Sequence, residues 1–246
     1  MNNKPQAYPA VLEAMAQPDC AVCRLVDAAV RQRIDAFLYE QIVVVERRAE
    51  IRAARGFCSV HSTMLNNVGY MQGNAILQHD VLNDVLREIS KVVPDVAHPD
   101  ANKRNFKQIA QGLFNRAGAV VNAIKPRRMC VLCEYERDRE AIYLRVLINH
   151  LHEPEFRAAF AASSGVCLPH FRVALELNEV RNDNVPAFIE IETAILSALK
   201  AELDEYLHKS NGSFGYTQGE MGNEADAPLR ALKLVSGRVI HTDGRQ

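Results

Sequence analysis

Two pairs of motifs that are typical of metal ligands recur along the chain with nearly the same spacing. Cys20-x-x-Cys23 precedes Cys58-x-x-His61 with 34 residues between Cys23 and Cys58, and Cys130-x-x-Cys133 precedes Cys167-x-x-His170 with 33 residues between Cys133 and Cys167. The chain has six cysteines, and all of them belong to these motifs. One C-x-x-C is a weak signal, whereas two complete sets without a spare cysteine indicate two sites of three thiols and one imidazole each.

The repetition extends beyond the motifs. Gly56 and Gly165 each lie two residues before the cysteine of a C-x-x-H, and the same residues precede both glycines at equal distances: Arg48, Ala49 and Ala53 in one case, Arg157, Ala158 and Ala162 in the other. A fixed offset of about 110 residues indicates an internal duplication. We therefore predict a first metal-binding repeat (1–98), a basic linker helix (99–128), a second repeat (129–209), and a polar loop with a short helix that packs on the body (210–246).

Composition and periodicity favour an all-α fold with about four helices in each repeat. Tryptophan is absent and aromatic residues make up 7% of the chain, whereas alanine, leucine, glutamate and arginine are frequent. In each repeat the C-x-x-C opens a helix, a second helix returns toward the glycine, the C-x-x-H opens a third, and a fourth follows. The predicted ranges are 21–39, 44–55 and 75–92 in the first repeat, and 131–151, 154–163 and 187–208 in the second.

Apolar stripes at helical spacing define the faces that we expect to be buried. In the fourth helix of the first repeat, the stripe includes Leu82 and Leu86. A last helix begins after Asp226, which we predict to be its N-cap, and ends at Gly237. Its predicted apolar face consists of Leu229, Leu232 and Val235.

The spacing of the motifs explains why they suit a metal. Residues at i and i+3 share a face of a helical turn, so both ligands of a pair point at one ion. Helix N-termini carry free N–H groups and partial positive charge, which stabilise thiolates. Two such pairs form a closed Cys3His cage with four ligands, as in structural zinc sites. The spacing allows each cage to form within one repeat or by exchange of the C-x-x-H pairs between repeats.

Three interpretations of the eight residues compete, and zinc, with two ions per chain, is favoured. The alternative is an iron–sulfur redox or electron-transfer protein with two Cys3His-ligated clusters, because thiolate-rich sites also hold such clusters. The third interpretation is a pair of redox-active dithiols, which explains the C-x-x-C motifs but not the recurring C-x-x-H.

The motifs resemble those of the bacterial DUF6062 family, whose function is unknown. The resemblance rests on Cys20-x-x-Cys23, Arg55-Gly56-Phe57-Cys58-x-x-His61, Cys130-x-x-Cys133, Gly165-x-Cys167-Leu168-Pro169-His170 and the tail segment from Gly219 to Asp226, and it covers about Cys20 to Gly237. It implies the duplicated helical fold and the eight ligands but no activity. This chain has Ala21 and Val131 where relatives usually have proline, which leaves the ligands intact.

Other features give a weaker functional signal. The segment 101–128 has seven basic residues and no acidic one, which suggests a nucleic-acid-binding regulator as a further alternative, although the solvated face of an amphipathic helix is the favoured explanation. No catalytic motif occurs, so we favour a non-enzymatic adaptor or accessory protein with an unidentified protein partner. We treat the other histidines as non-ligands: His79, His98, His150, His152, His208 and His241.

The chain also lacks features that would direct it to a membrane. Its net charge is −1, its first nine residues contain no apolar signal segment, and no apolar run reaches the roughly 20 residues that a membrane span requires. We therefore expect a cytoplasmic protein, in which cysteines stay reduced.

Overall fold

The structure is a computed structural model that describes residues 4–66, 71–92, 117–178, 180–210 and 220–237. Within these ranges every regular element is a helix and no β-strand occurs, which confirms the predicted all-α class. The helices are α1 (Tyr8–Met15), α2 (Ala21–Ala36), α3 (Val45–Ala53), α4 (Ser59–Asn66), α5 (Met71–Val92), α6 (Val131–Asn149), α7 (Pro154–Ala161), α8 (Leu168–Glu176), α9 (Val185–Ser210) and α10 (Ala227–Ser236). Residues 117–124 are helical as well.

The chain divides into two compact units that differ from the sequence repeats. The discontinuous unit consists of Met1–Ala29 and Glu136–Gln246, and the continuous unit of Val30–Tyr135. The two boundaries fall inside α2 and α6, the helices that the C-x-x-C motifs open. Each unit therefore contains the C-x-x-C of one repeat and the C-x-x-H of the other. The segments 1–98, 99–128, 129–209 and 210–246 describe the duplication of the sequence, and as domains they stay a prediction.

The core of the discontinuous unit contains large aromatic side chains. Phe160 on α7 stacks on Phe188 of α9 with 5.6 Å between ring centroids, and both are fully buried. Helix α1 packs against α7, where the buried Tyr8 donates a 2.8 Å hydrogen bond to Glu153. The sequence pattern did not predict α1, because it is short and contains Pro9. Proline is nevertheless compatible with the first helical turn, where its missing N–H has no partner to lose.

In the continuous unit, α3 packs against α5 through both apolar and charged side chains. Ile51 and Leu77 are buried between the helices, and Arg48 forms a 2.6 Å ion pair with Asp80. The predicted stripe on α5 was too wide, because Leu82 and Leu86 are 59% and 60% exposed. The buried face instead continues to a polar residue, Asp84, whose carboxylate pairs with Arg55 at 2.5 Å.

A π-helical turn accounts for the one-residue difference between the repeats. Residues Phe37–Gln41 form this turn directly after α2, whereas the corresponding end of α6 is α-helical. A π turn contains one more residue than an α turn. It therefore absorbs the additional residue between Cys23 and Cys58 without displacing the C-x-x-H that follows.

The C-terminal helix α10 begins and ends close to the predicted residues, but two details were wrong. Asp226 precedes the helix without a capping hydrogen bond, and its carboxylate instead accepts a 2.7 Å bond from Arg230. The predicted apolar face is exposed, whereas Ala227 and Leu234 are buried as α10 packs on α8 and α9. Gly237 ends the helix as predicted, with φ +81° and an N–H that donates to Lys233.

Candidate metal centres

Each of the four motifs lies at the start of a helix. Cys20, Cys58, Cys130 and Cys167 each directly precede a helix, and the second ligand of each motif lies in its first turn. The Cys23 N–H donates to the Cys20 sulfur at 3.5 Å, as expected for a sulfur in a cap position. In the two C-x-x-H motifs, the sulfur lies 3.2 Å (Cys58 to His61 Nδ1) and 3.1 Å (Cys167 to His170 Nδ1) from the imidazole nitrogen, so both side chains lie on the same side of the helix start.

The first cage consists of Cys20, Cys23, Cys167 and His170, all in the discontinuous unit. The Cys23 and Cys167 sulfurs lie 3.6 Å apart. The His170 Nδ1 lies 3.5, 3.4 and 3.1 Å from the sulfurs of Cys20, Cys23 and Cys167 respectively. His170 therefore turns Nδ1, not Nε2, toward the three sulfurs.

The second cage consists of Cys58, His61, Cys130 and Cys133, all in the continuous unit. The sulfurs of Cys58 and Cys133 are again 3.6 Å apart. The His61 Nδ1 lies 3.2, 3.7 and 3.4 Å from the sulfurs of Cys58, Cys130 and Cys133. The two cages thus have the same donor atoms in the same arrangement.

The pairing of the motifs answers the question that the spacing left open. Cys20 and Cys23 meet the C-x-x-H of the second repeat, and Cys130 and Cys133 meet the C-x-x-H of the first. The eight predicted residues therefore come together in two groups of four, with the C-x-x-H pairs exchanged between repeats.

The dimensions of both cages fit a single tetrahedral ion. Zn–S bonds of about 2.3 Å and Zn–N bonds of about 2.0–2.1 Å at tetrahedral angles require S···S edges of about 3.8 Å and S···N edges of about 3.6 Å. One S···S distance in each cage is 3.6 Å, and the S···N distances range from 3.1 to 3.7 Å. All ligand atoms of a cage lie within 4.8 Å of one another. Both cages could therefore bind a metal ion.

The electrostatics of the cages also favour a cation. Hydrogen bonds from Cys167 and Cys23 hold the pKa of Cys20 well below its usual range. Burial disfavours a charged ring at His170, but hydrogen bonds to Cys167, Cys20 and Glu140 outweigh it and raise its pKa to about 12. Burial likewise opposes ionisation of Cys130, yet its hydrogen bond with His61 lowers the pKa to about 6. Thiolates this close together need a compensating positive charge, which a divalent ion supplies.

Two carboxylates support the first cage, and sequence reasoning missed both. The His170 Nε2 donates to Glu140 Oε1 at 3.2 Å, the arrangement in which a carboxylate orients a metal-ligating imidazole. The fully buried Glu192 accepts bonds of 3.1 and 3.3 Å from the Val166 N–H, next to Cys167. Burial raises the pKa of Glu192 to about 7, although the Val166 N–H favours its ionised form. Glu140 follows Cys133 by seven residues, so the sequence could place it on the same helix. Nothing in the sequence indicates that it contacts His170.

The glycine before each C-x-x-H has a positive φ, and its surroundings differ between the cages. Gly56 has φ +93° and Gly165 has φ +72°. A β-carbon at Gly165 would lie 2.8 Å from both carboxylate oxygens of Glu192, whereas at Gly56 the nearest atom is the Gln78 side-chain oxygen at 3.9 Å. Both turns need glycine because of the positive φ. Only at Gly165 would a β-carbon also clash with a neighbouring side chain.

We expect Gly165→Ala to destabilise the protein considerably more than Gly56→Ala. Both substitutions cost about 1–2 kcal/mol of backbone strain. Gly165→Ala adds about 1–3 kcal/mol, because the buried Glu192 must move. Urea-induced unfolding measures the difference in stability. Gly118→Ala is the control, because Gly118 lies in a helical segment and a β-carbon added there would meet no other part of the protein within 4 Å. Equal losses for Gly56→Ala and Gly165→Ala would contradict the role of Glu192.

Other predicted features lie away from the cages or outside the described residues. His150 contacts Glu153 at 2.6 Å, and His79 lies 3.3 Å from Asn83. His98, His241 and residues 101–116 of the basic segment lie outside the described residues. In the described part of that segment, Arg127 pairs with Glu88 and Arg128 with Glu134 and Glu50. These ion pairs reduce the positive charge that a nucleic acid could meet there.

Comparison with known proteins gives a family but no activity. One similar protein is an uncharacterised 23.9 kDa protein in the xynA 3′ region of Caldicellulosiruptor sp. (strain Rt8B.4), which is 26% identical over 199 residues, or 80% of this chain and 82% of the relative. No solved structure matches the chain significantly. None of the described helices is long and apolar enough to cross a membrane. Residues 6–242 match the family of unknown function DUF6062, and the chain therefore belongs to this family.

Proposed function

We propose that the protein binds two zinc ions as structural metals, one in each cage. The observation that carries this proposal is the grouping of three sulfurs and one imidazole nitrogen within 4.8 Å of one another, found twice. Four protein ligands complete the coordination of zinc and leave no position for a substrate. The ions would therefore stabilise the fold and not take part in a reaction.

The dimensions of the cages favour a single ion over an iron–sulfur cluster. The ligands of a cluster are distributed over two or more iron atoms, so those on different iron atoms lie farther apart than ligands that share one ion. Here all four ligand atoms of each cage lie within 4.8 Å of one another. Three thiolates and one imidazole at this spacing match the ligand types and bond lengths of structural zinc.

Elemental analysis of the full-length protein, purified without oxygen, tests this proposal. We expect two zinc ions per chain, no acid-labile sulfide and no visible absorption. Iron together with sulfide and a brown colour would show that the cages hold iron–sulfur clusters and not zinc. Iron without sulfide would show that each cage holds a single iron ion. Protein that folds without any metal would overturn the proposal for both cages.

Beyond the cages, we propose a non-enzymatic accessory role with a protein partner. Cysteines that are not in disulfides are typical of the reducing cytoplasm, and we propose this compartment for the protein. The paired state of Arg127 and Arg128 gives no support to the nucleic-acid alternative. Binding to duplex DNA or RNA at low salt would restore that alternative, and it would weaken steeply as salt is added.

A further inference from the structure

We infer that the protein forms a weak, two-fold symmetric dimer in which the exposed apolar side of α10 of each copy lies in a groove of the other copy. Two surfaces of the discontinuous unit carry this inference. The crest consists of Leu229, Leu232 and Val235 on α10. The groove is a cleft of about 840 Å³ lined by residues of α1, α7, α9 and α10. The inference goes beyond the proposed function and does not depend on which metal the cages bind.

The crest makes α10 apolar on two sides. Ala227 and Leu234 are buried as α10 packs on α8 and α9, whereas Leu229, Leu232 and Val235 are 64%, 60% and 59% exposed. The three exposed residues are spaced three positions apart, so they are neighbours on the helix surface. A surface helix normally turns one apolar side to the core and a polar side to solvent, and a helix that is apolar on more than one side is typical of a covered element. The described part of the chain leaves the crest open to solvent, so the crest is suited to contact with another chain.

The groove provides an apolar surface of matching size. Its lining includes Ile191, Ile195 and Leu199, which follow one another at intervals of four residues along α9. Ala162 and Ala198 line it as well, and small side chains allow another helix to approach closely. From Ile191 to Leu199 this apolar lining extends about 12 Å along α9, compared with a length of about 15 Å for a ten-residue helix such as α10. The groove can therefore hold most of a helix of this length.

The charged side chains around the groove do not oppose such a contact. Every charged side chain in its lining belongs to an ion pair with another residue of the lining: Lys233 with Asp19, Arg230 with Glu202, and Arg157 with Glu190. The crest itself carries no charge. Contact between crest and groove thus removes apolar surface from water without burying an unpaired ion, which would be costly.

The charges also have complementary signs. Helix α10 carries two cations, Arg230 and Lys233, and no carboxylate. The rest of the lining has three carboxylates and one cation, and one of these carboxylates, Glu190, is 75% exposed in its side chain. An α10 from a second copy brings cations to walls on which carboxylates are in excess, and this favours an approach of α10 over that of an acidic helix.

The position of α10 explains why the partner is a second copy. The helix carries the crest on its outer side and forms one wall of the groove through Arg230, Lys233 and Leu234. In a two-fold contact the same patch is used by both copies, and every contact is made twice. Because crest and groove adjoin on one helix, the entry of one crest into the partner's groove brings the second crest to the first groove. Such a contact closes at two copies.

The size of the two surfaces predicts that the dimer is weak. A ten-residue helix is about 15 Å long and about 10–12 Å wide, so covering its outer half buries roughly 250 Å². The groove loses a similar area and the contact occurs twice, which gives a total of roughly 1,000 Å², at the lower limit of specific interfaces. We therefore expect a dissociation constant in the micromolar range.

Sedimentation equilibrium of the full-length protein, from concentrations well below to well above this range, tests the inference. We expect the average mass to rise from the 27.5 kDa of one chain toward twice this value and to stop there. A protein that stays monomeric at the highest concentration would overturn the inference. Growth beyond two copies would overturn it as well, because it requires head-to-tail contacts that do not close.

Charged substitutions on the crest and in the groove test the contact itself. Leu232→Glu and Ala198→Glu are each expected to weaken the dimer at least about tenfold, because a carboxylate would lose its water in an apolar contact. Leu207→Glu is the matched control, since Leu207 is also 60% exposed in the same unit but belongs to neither surface. It should leave the dissociation constant unchanged. Dimers of wild-type strength in both Leu232→Glu and Ala198→Glu, or equal weakening in all three variants, would contradict the inference.

Two further measurements keep the test independent of folding and of the metal. Circular dichroism shows whether each variant keeps the helical fold, and Leu229→Glu replaces Leu232→Glu if the latter does not. Zinc is measured in the same samples. A monomer with two zinc ions would overturn the dimer alone, whereas a folded dimer without zinc would overturn the proposed function alone.

Discussion

Replacing Cys20 and Cys167 together by serine is expected to remove one zinc ion per chain, whereas replacing Cys20 and Cys58 together is expected to remove both. Cys20 and Cys167 belong to one cage, so the second substitution damages a site that is already lost. Cys20 and Cys58 belong to different cages, although they lie in the same sequence repeat. Zinc per chain, measured by elemental analysis after gel filtration, gives the result as a whole number.

The chain provides a mirror-image control for this experiment. Cys58→Ser with Cys130→Ser is expected to remove one zinc ion, and Cys130→Ser with Cys167→Ser to remove both, by the same reasoning. If each cage formed within one repeat, all four double variants would give the opposite counts. Stability should follow the counts, because substitutions in one site are non-additive and those in separate sites add. Circular dichroism shows whether the variants that keep one zinc ion retain the helical fold.

The exchanged pairing has a consequence for how the duplicated chain folds. The first cage joins Cys23 to Cys167 and the second joins His61 to Cys133, so each cage brings together residues that are far apart in the sequence. Neither repeat contains both halves of a cage. Duplication has thus produced two copies of a site that each depend on both repeats, which explains why the compact units begin and end inside α2 and α6.

The sequence predicted the grouped cysteines and histidines and the helices that carry them, because these depend on local rules. The i,i+3 spacing at a helix start turns Cys20 and Cys23 to one side whatever the remaining fold is. The pairing of the motifs could not be predicted, because both pairings satisfy the same spacing. Glu140 and Glu192 were missed for a similar reason, since their contacts with His170 and Val166 join separate helices.

The errors on the apolar stripes have a physical origin as well. Spacing alone placed Leu82 and Leu86 on the buried face of α5, whereas the face that packs includes Asp84, paired with Arg55. A buried ion pair is invisible to a hydropathy pattern, because each partner looks like a solvated residue. The same holds for Glu192, which lies buried on α9 among apolar residues.

Removing zinc from the wild-type protein is expected to abolish its cooperative unfolding transition. Binding of a structural zinc contributes about 10–16 kcal/mol of apparent free energy, and binding energy at a site formed only in the folded chain is folding energy. The net stability of a domain is about 5–15 kcal/mol, so the loss of both ions exceeds this margin. In the metal-free chain, each cage would bring three sulfurs together without the cation that neutralises them.

Calorimetry of the protein before and after treatment with a chelator, with metal content measured in each sample, tests this expectation. The zinc-loaded protein should show a cooperative transition, and the metal-free protein a broad or absent one, with part of its helical circular dichroism retained because long helices such as α9 keep local hydrogen bonds. Adding two equivalents of zinc should restore the transition. Magnesium serves as the control, because this hard cation prefers oxygen ligands and should restore nothing. A metal-free sample that melts at the wild-type temperature would show that the cages do not stabilise the fold, whatever metal they bind.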